Sequence, residues 1–196
     1  GIAAVFRDVF VKRGGKIVAF EPYASGDRDF AAQLTRIRNA GPDVLFLPND
    51  YPEIPRQIRQ ARELGIKATI LGSDSWGTAE LLTSCGKDCE GSFFSTHFAA
   101  DVATPAAKRF IEAYKKQYGS EPDDVAALTY DSFGLLRHAI QAAGKLDRLA
   151  VRDALARIPA YEGVTGNMEF REGSGDPVKS AVIMTIRDGR FAWHAN

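Results

Sequence analysis

The stretch Asp43-Val44-Leu45-Phe46-Leu47-Pro48-Asn49-Asp50-Tyr51-Pro52-Glu53, continued downstream by Ala68-Thr69-Ile70-Leu71-Gly72-Ser73-Asp74-Ser75-Trp76, decides the fold. Val44 to Leu47 form a short unbroken apolar run, which suits a strand covered on both faces. Pro48 stops the run, and Asn49, Asp50 and Tyr51 follow as a polar loop. Ile54, Ile58, Ala61 and Leu64 then recur at three- and four-residue spacing, the pattern of a helix with one apolar face. Gly65 is placed to end that helix. Ala68 to Leu71 is a second apolar run, and it opens into Gly72-Ser73-Asp74-Ser75-Trp76. The whole reads as a β-α-β unit with parallel strands and a right-handed crossover. Both polar loops then leave the carboxyl ends of neighbouring strands. Open α/β sheets take their ligands at that edge, on loops that the scaffold holds in place.

Upstream, residues 2 to 13 predict an amphipathic helix with Val5, Phe6, Val9 and Phe10 inward, stopped by Gly14 and Gly15. Lys16 to Phe20 predicts a strand. Asp29 is placed to cap a helix striped by Phe30, Leu34 and Ile37, which Gly41-Pro42 ends. The order is helix, strand, helix, strand, helix, strand, which is half of a doubly wound α/β domain. The first helix has no strand before it, and the chain starts without Met, so it reads as part of a longer or trimmed chain.

Downstream, Thr78 to Leu82 predicts a short helix and Ser92 to His97 a strand leading out of this domain. Helices are expected over 104–118 (Phe110, Ile111, Tyr114 and Tyr118 inward), 123–143 (Val125, Leu128, Leu135, Leu136 and Ile140) and 148–158. No strands lie between them, so their sheet must come from elsewhere, and their uncovered faces would be sticky. Asn167 to Phe170 and Ser180 to Ile186 predict strands, and Asp188-Gly189 is a hairpin signal leading into Arg190 to His194.

Composition sets the outer bounds. The 196 residues give room for one large or two small domains. A hydrophobic fraction of 45% argues against disorder. The 25 basic residues balance the 25 acidic ones, so the basic surplus that nucleic-acid binding needs is missing. No apolar run approaches the ~20 residues of a membrane-spanning helix, and no signal peptide is visible.

Cys85 and Cys89 are spaced C-x3-C. A zinc site would need two further ligands, and His97 alone is within reach, so no metal is expected. A small-loop disulfide in an oxidising compartment and a pair of unbridged thiols both stay open. The chain has no G-x-S-x-G, H-E-x-x-H, G-x-G-x-x-G or Walker A sequence. Its histidines, His97, His138 and His194, are scattered. A Ser73–Asp74–His97 triad is conceivable, yet nothing in the sequence places the three together. No catalytic residue and no cofactor are expected.

A set of short pieces, in order along nearly the whole chain, carries a family resemblance. They are Gly1-Ile2-Ala3, Ala31 to Pro42 with Asp43-Val44-Leu45-Phe46, and Arg59-Gln60-Ala61-Arg62-Glu63-Leu64-Gly65. Gly72-Ser73-Asp74, Glu90-Gly91, Thr129-Tyr130-Asp131-Ser132, Gly166 to Phe170 with Gly175-Asp176, and Ile186 to Phe191 follow. In these the chain resembles the amino-acid-binding branch of the type I periplasmic solute-binding proteins, the receptors of branched-chain amino acid ABC transporters.

The resemblance implies two doubly wound, Rossmann-like α/β lobes that close on a small solute. Residues 1–96 would be most of the second lobe, 97–176 the later part of the first, and 177–196 the return to the second. The early half of the first lobe and the segment before Gly1 would be absent. It further implies a periplasmic receptor, made with a signal peptide and partnered by an ABC transporter membrane permease. A branched-chain or other neutral amino acid would sit in the interlobe cleft. A receptor of the same fold for aromatic carboxylates or amides, a sensory ligand-binding domain, and an α/β enzyme are the alternatives.

Carried onto this sequence, the resemblance points to Asp74 as the partner of the ligand's α-ammonium group. A buried cation needs a charged partner and hydrogen bonds. Relatives often carry Glu there, and the competing reading is a loop Asp that caps the helix near Thr78. Asn49, Asp50 and Tyr51 occupy the loop where relatives place a ligand-contacting aromatic. Tyr51 leads, Asp50 follows by a one-residue shift, and an ordinary turn is the competing reading. Ser73 and Ser75 flank Asp74 and join the expected ligand-binding set. Trp76 would wall the cleft or pack on the lobe. Tyr130, within a helix, is expected in core packing.

Overall fold

The computed structural model describes residues 1–49, 51–102, 104–171 and 173–194. The chain divides into two units, Gly1–Ser95 with Ile183–Asn196, and Thr96–Val182.

The first unit is an α/β layer. Helices α1 (Ile2–Lys12) and α2 (Ala31–Ala40) precede strand β1 (Val44–Leu47), helix α3 (Glu53–Glu63) and strand β2 (Thr69–Gly72). A 3-10 turn over Asp74–Trp76, helix α4 (Ala79–Cys85), a second 3-10 turn over Gly86–Cys89 and strand β3 (Phe93–Thr96) follow. β1 and β2 pair in parallel from Val44–Thr69 to Leu47–Gly72, and β2 pairs in parallel with β3. The β-α-β unit read from the sequence is therefore present, with both of its loops at the carboxyl ends.

Its core is the stripe that the helical spacing marked. Ile54, Ile58 and Ala61 are fully buried, and Leu45 and Leu47 of β1 and Ile70 of β2 are buried too. The other face of β1 is less covered. Phe46 stacks on Phe6 of α1 at 4.1 Å between ring centroids, while Val44 is exposed. The expected burial of both strand faces thus holds for one face alone.

Lys16 to Phe20 does not form a strand, because it has no ladder partner among the described residues. A cavity of about 940 Å³ separates it from β1, lined by Phe6, Phe10, Ile17, Phe20, Val44 and Phe46 among others. On α1, Val5 and Val9, expected inward, are exposed.

The second unit holds helices α5 (Pro105–Tyr118), α6 (Asp124–Ala143) and α7 (Arg148–Leu155), preceded by a 3-10 turn at Ala100–Val102. Thr104, Asp123 and Asp147 cap the three helices, each accepting a backbone N–H three residues on. A small sheet follows, with β4 (Ala160–Gly163), β5 (Gly166–Phe170) and β6 (Pro177–Lys179) all antiparallel. Phe98, Ala107, Phe110, Ile111, Ala127 and Val164 form the core. Val125, Phe133, Leu136 and Tyr118 are exposed, so the apolar faces of α5 and α6 are only partly covered.

The chain returns to the first unit at Ile183, later than the expected boundary at residue 177, because β6 pairs with β5. Strands β7 (Val182–Arg187) and β8 (Arg190–Trp193) then complete the five-stranded order β1-β2-β3-β7-β8. Asp188 and Gly189 both have positive φ, at 53° and 67°, as a two-residue type I′ turn requires. The Glu90 carboxylate accepts the Asp188 and Gly189 backbone N–H groups at 2.8 and 3.4 Å, fastening this turn to the start of β3.

Candidate ligand-binding site

The loops after β1 and β2 meet at the carboxyl edge of the sheet. Ser75 Oγ donates to the Asn49 backbone carbonyl at 2.8 Å, and Ser73 Oγ lies 3.1 Å from Ser75 Oγ. Ser73 is buried and Ser75 half-buried, so this hydroxyl pair supports the loop from beneath. Asn49 Nδ2 is buried and has no hydrogen-bond partner among the described residues. Asp50 lies outside the described residues.

Trp76, for which the sequence left a cleft wall and packing on the lobe both open, is fully buried in the first unit. Its Nε1 donates to the Leu47 carbonyl at 3.1 Å, and its ring stacks against Phe94. The ring lies over Gly72, where a Cβ would come within 2.2 Å of it. Gly72 lacks that atom, and this lets the indole fold back under the loop. Trp76 therefore holds the loop in place, using its one donor on the backbone of β1.

Asp74 opens the 3-10 turn and is exposed. Its backbone carbonyl accepts the Gly77 N–H at 3.2 Å. The N-cap residue of α4 is Thr78, four residues further on, and α4 has no side-chain cap hydrogen bond.

Tyr51 is partly exposed, and its hydroxyl lies 3.2 Å from Ser84 Oγ near the end of α4. Cys85 and Cys89 are joined by a disulfide, with their Cα atoms 5.7 Å apart. Both are buried, so the bridge belongs to the packed end of α4 and not to a free surface loop. Ser84 had no signal in the sequence, since 33 residues separate it from Tyr51.

Ser73, the serine of the conceivable triad, shares its hydroxyl with Ser75, and His97 belongs to the second unit. Among the described residues no group of three or more His, Cys, Asp or Glu is placed to hold a metal ion. No helix of the described residues is long and apolar enough to cross a membrane.

The second unit holds a separate polar knot. Asp131, buried on α6, accepts from Val164 N at 2.7 Å, Thr165 N at 2.9 Å and Thr165 Oγ1 at 2.6 Å. Lys179 Nζ donates to the Thr165 carbonyl. Burial pushes the Lys179 ammonium below its ordinary value, with Asp131 opposing. Burial pushes the Tyr161 phenol up, and Asp131 adds to it. Tyr130, expected in the core, is exposed, with its ring 4.8 Å from that of Phe110.

A sequence profile described as periplasmic binding protein matches residues 1–190. The chain is 30% identical over 173 residues to the leucine-, isoleucine-, valine-, threonine- and alanine-binding protein of Pseudomonas aeruginosa, covering 88% of this chain and 46% of that protein. It is 27% identical over 197 residues to the leucine-specific-binding protein of Salmonella typhimurium, covering all of this chain and 51% of that one. The chain thus spans about half the length of these curated relatives.

Among solved structures, a leucine-binding protein from Thermotoga maritima superposes with a TM-score of 0.94 at 35% identity, over 100% of this chain and 55% of that one. A branched-chain amino acid transporter substrate-binding protein from Streptococcus pneumoniae, solved with isoleucine, gives 0.86 at 33% identity, over 97% and 53%. The parallel β1-β2-β3 sheet, the loops at its carboxyl edge and these matches lead to one assignment: the chain belongs to the periplasmic binding protein family, with the type I fold of the Leu/Ile/Val-binding proteins.

Proposed function

We propose that this chain is part of an extracytoplasmic solute receptor that binds a small neutral amino acid, branched-chain first, and delivers it to the membrane permease of an ABC importer. The protein works by binding, without catalysis, in the periplasm. The observation that carries the reading is the fastening of the β1 and β2 loops by Ser75 and Asn49, with exposed Asp74 at the same edge. An exposed carboxylate on a braced loop is suited to receive an α-ammonium group, because the braced loop loses little freedom when the solute arrives. Tyr51, partly exposed on the exit loop of β1, supplies ring surface. Relatives whose names state leucine, isoleucine or valine as ligand support the solute class.

Thermal-shift screening of the full-length protein against amino acids and small carboxylates tests this. A ligand at 100 times its Kd adds about 2.7 kcal/mol of stability, which is a readily measured rise in melting temperature. Leucine, isoleucine or valine should give that rise. A rise with aromatic carboxylates or amides alone would replace the amino-acid reading, and turnover of any candidate would replace the receptor reading.

A further inference from the structure

Tyr51 stands on the exit loop of β1, yet its hydroxyl is engaged by Ser84 in the last turn of α4 at 3.2 Å. Ser84 is itself held. Arg59 Nη2, on α3, donates to the Ser84 backbone carbonyl at 3.0 Å, and Arg59 Nε lies 3.7 Å from Asp88 Oδ2. Cys85, the next residue, is bridged to Cys89, and Asp88 lies inside that bridge on the second 3-10 turn. The bridge closes so few residues that its effect on the unfolded chain is small. Its location matters more, because it pins the end of the helix that presents Ser84. The other end of α4 starts at Thr78, directly after the Asp74–Trp76 turn. One short helix therefore abuts both loops of the candidate site.

We propose that Ser84 and Arg59 are positioning residues for the solute, setting the pose of the Tyr51 ring through a clamp that the Cys85–Cys89 bridge locks. This rests on the reading of the β1 and β2 loops as the solute site. The chemistry has two parts. A partly exposed tyrosine on a loop samples several rotamers, and a ring that must first be ordered costs the ligand affinity. Tethering the hydroxyl removes that cost before the ligand arrives. At the same time a hydrogen bond near the surface contributes little to folding stability, since water replaces it. The clamp should therefore show in affinity and hardly at all in melting temperature. Neither Ser84 nor Arg59 need touch the solute.

Calorimetry on the full-length protein with leucine, isoleucine and valine tests this, using Tyr51→Phe, Ser84→Ala, Ser84→Thr, Arg59→Ala and the Tyr51→Phe/Ser84→Ala double variant. Tyr51→Phe and Ser84→Ala should each weaken binding about threefold to tenfold, the range of one lost hydrogen bond. The double variant should be no weaker than either single one, because both break the same contact. Ser84→Thr keeps the hydroxyl and should bind within about twofold of wild type, while Arg59→Ala should weaken binding with the solute-free melting temperature nearly unchanged. Wild-type binding with Ser84→Ala unaffected, or with additive losses in the double variant, would overturn the clamp and leave the receptor reading standing. Wild-type protein that takes none of the three amino acids would overturn the site reading and the clamp with it.

Discussion

The Ser75 hydroxyl donates to the Asn49 backbone carbonyl at 2.8 Å, which joins the loops that leave two adjacent parallel strands. The bond runs sideways across the carboxyl edge of the sheet, so each loop limits the freedom of the other. Ser75→Ala removes the donor and leaves the carbonyl to water. The stability cost should be about 1 kcal/mol, the ordinary net worth of such a bond. Solute affinity should fall severalfold, because Asn49 and Tyr51 lose their bracing. Chemical denaturation and calorimetry on the same samples would separate the two effects.

Gly72 and Trp76 share one space, and the ring occupies what would be the Cβ position of Gly72. Gly72→Ala must therefore displace a buried indole whose Nε1 is committed to Leu47. Overpacking of this kind costs about 1–3 kcal/mol. A urea titration should show that loss as a lower midpoint with an unchanged slope. An alanine variant as stable as wild type would mean that the indole can move without penalty.

In the second unit, Asp131→Ala leaves three donors, Val164 N, Thr165 N and Thr165 Oγ1, without their acceptor in a buried place. A buried donor left without its acceptor costs about 1–3 kcal/mol. Asp131→Asn keeps the shape but turns an NH2 toward at least one N–H group, so it should recover only part of that loss. Thermal unfolding of both variants checks the ranking.

Arg36 donates twice to Glu21 Oε2, at 2.9 and 2.7 Å, and that bonding holds the Glu21 carboxyl below its ordinary value. A depressed carboxyl stabilises the fold fully above its unfolded value and loses that contribution as pH falls through its folded value. Glu21→Gln should therefore lower the melting temperature slightly near neutral pH. The difference from wild type should shrink as pH falls below about 4.5, and added salt should shrink it at neutral pH. A difference that grew on acidification would contradict the sign.

The chain announced some of this structure and concealed the rest, for physical reasons. The run Val44–Leu47, the spacing of Ile54, Ile58 and Ala61, and the run ending at Leu71 announce a β-α-β unit, because burial on a strand or helix imposes a period on the sequence. Asp188-Gly189 announced its hairpin because few other residues accept two positive φ angles. Lys16–Phe20 has strand composition, but a strand also needs a neighbour to bond with. Ala160–Gly163 and Pro177–Lys179 passed unnoticed because each is short, partly exposed and carries Gly or Pro.

At the site, the sequence named the loops but not the directions of their side chains. Trp76 was legible as a large amphipathic residue, yet only the missing Cβ of Gly72 explains why it turns inward. Ser84 and Asn49 act through contacts whose partners lie 33 and 26 residues away, and no local pattern records them.

The account turns on Asp74 as the partner of an α-ammonium group, and calorimetric titration of leucine into the full-length protein and its Asp74→Asn variant tests it most directly. Asp74 is exposed in the free chain, and a cleft closed on the solute would desolvate the pair; loss of one member of such a buried, hydrogen-bonded charge pair costs about 2–5 kcal/mol, roughly 30- to 4000-fold in affinity. The amide keeps the shape and removes the charge, so the account predicts a loss in that range. Asp74→Asn binding leucine within about threefold of wild type would contradict it.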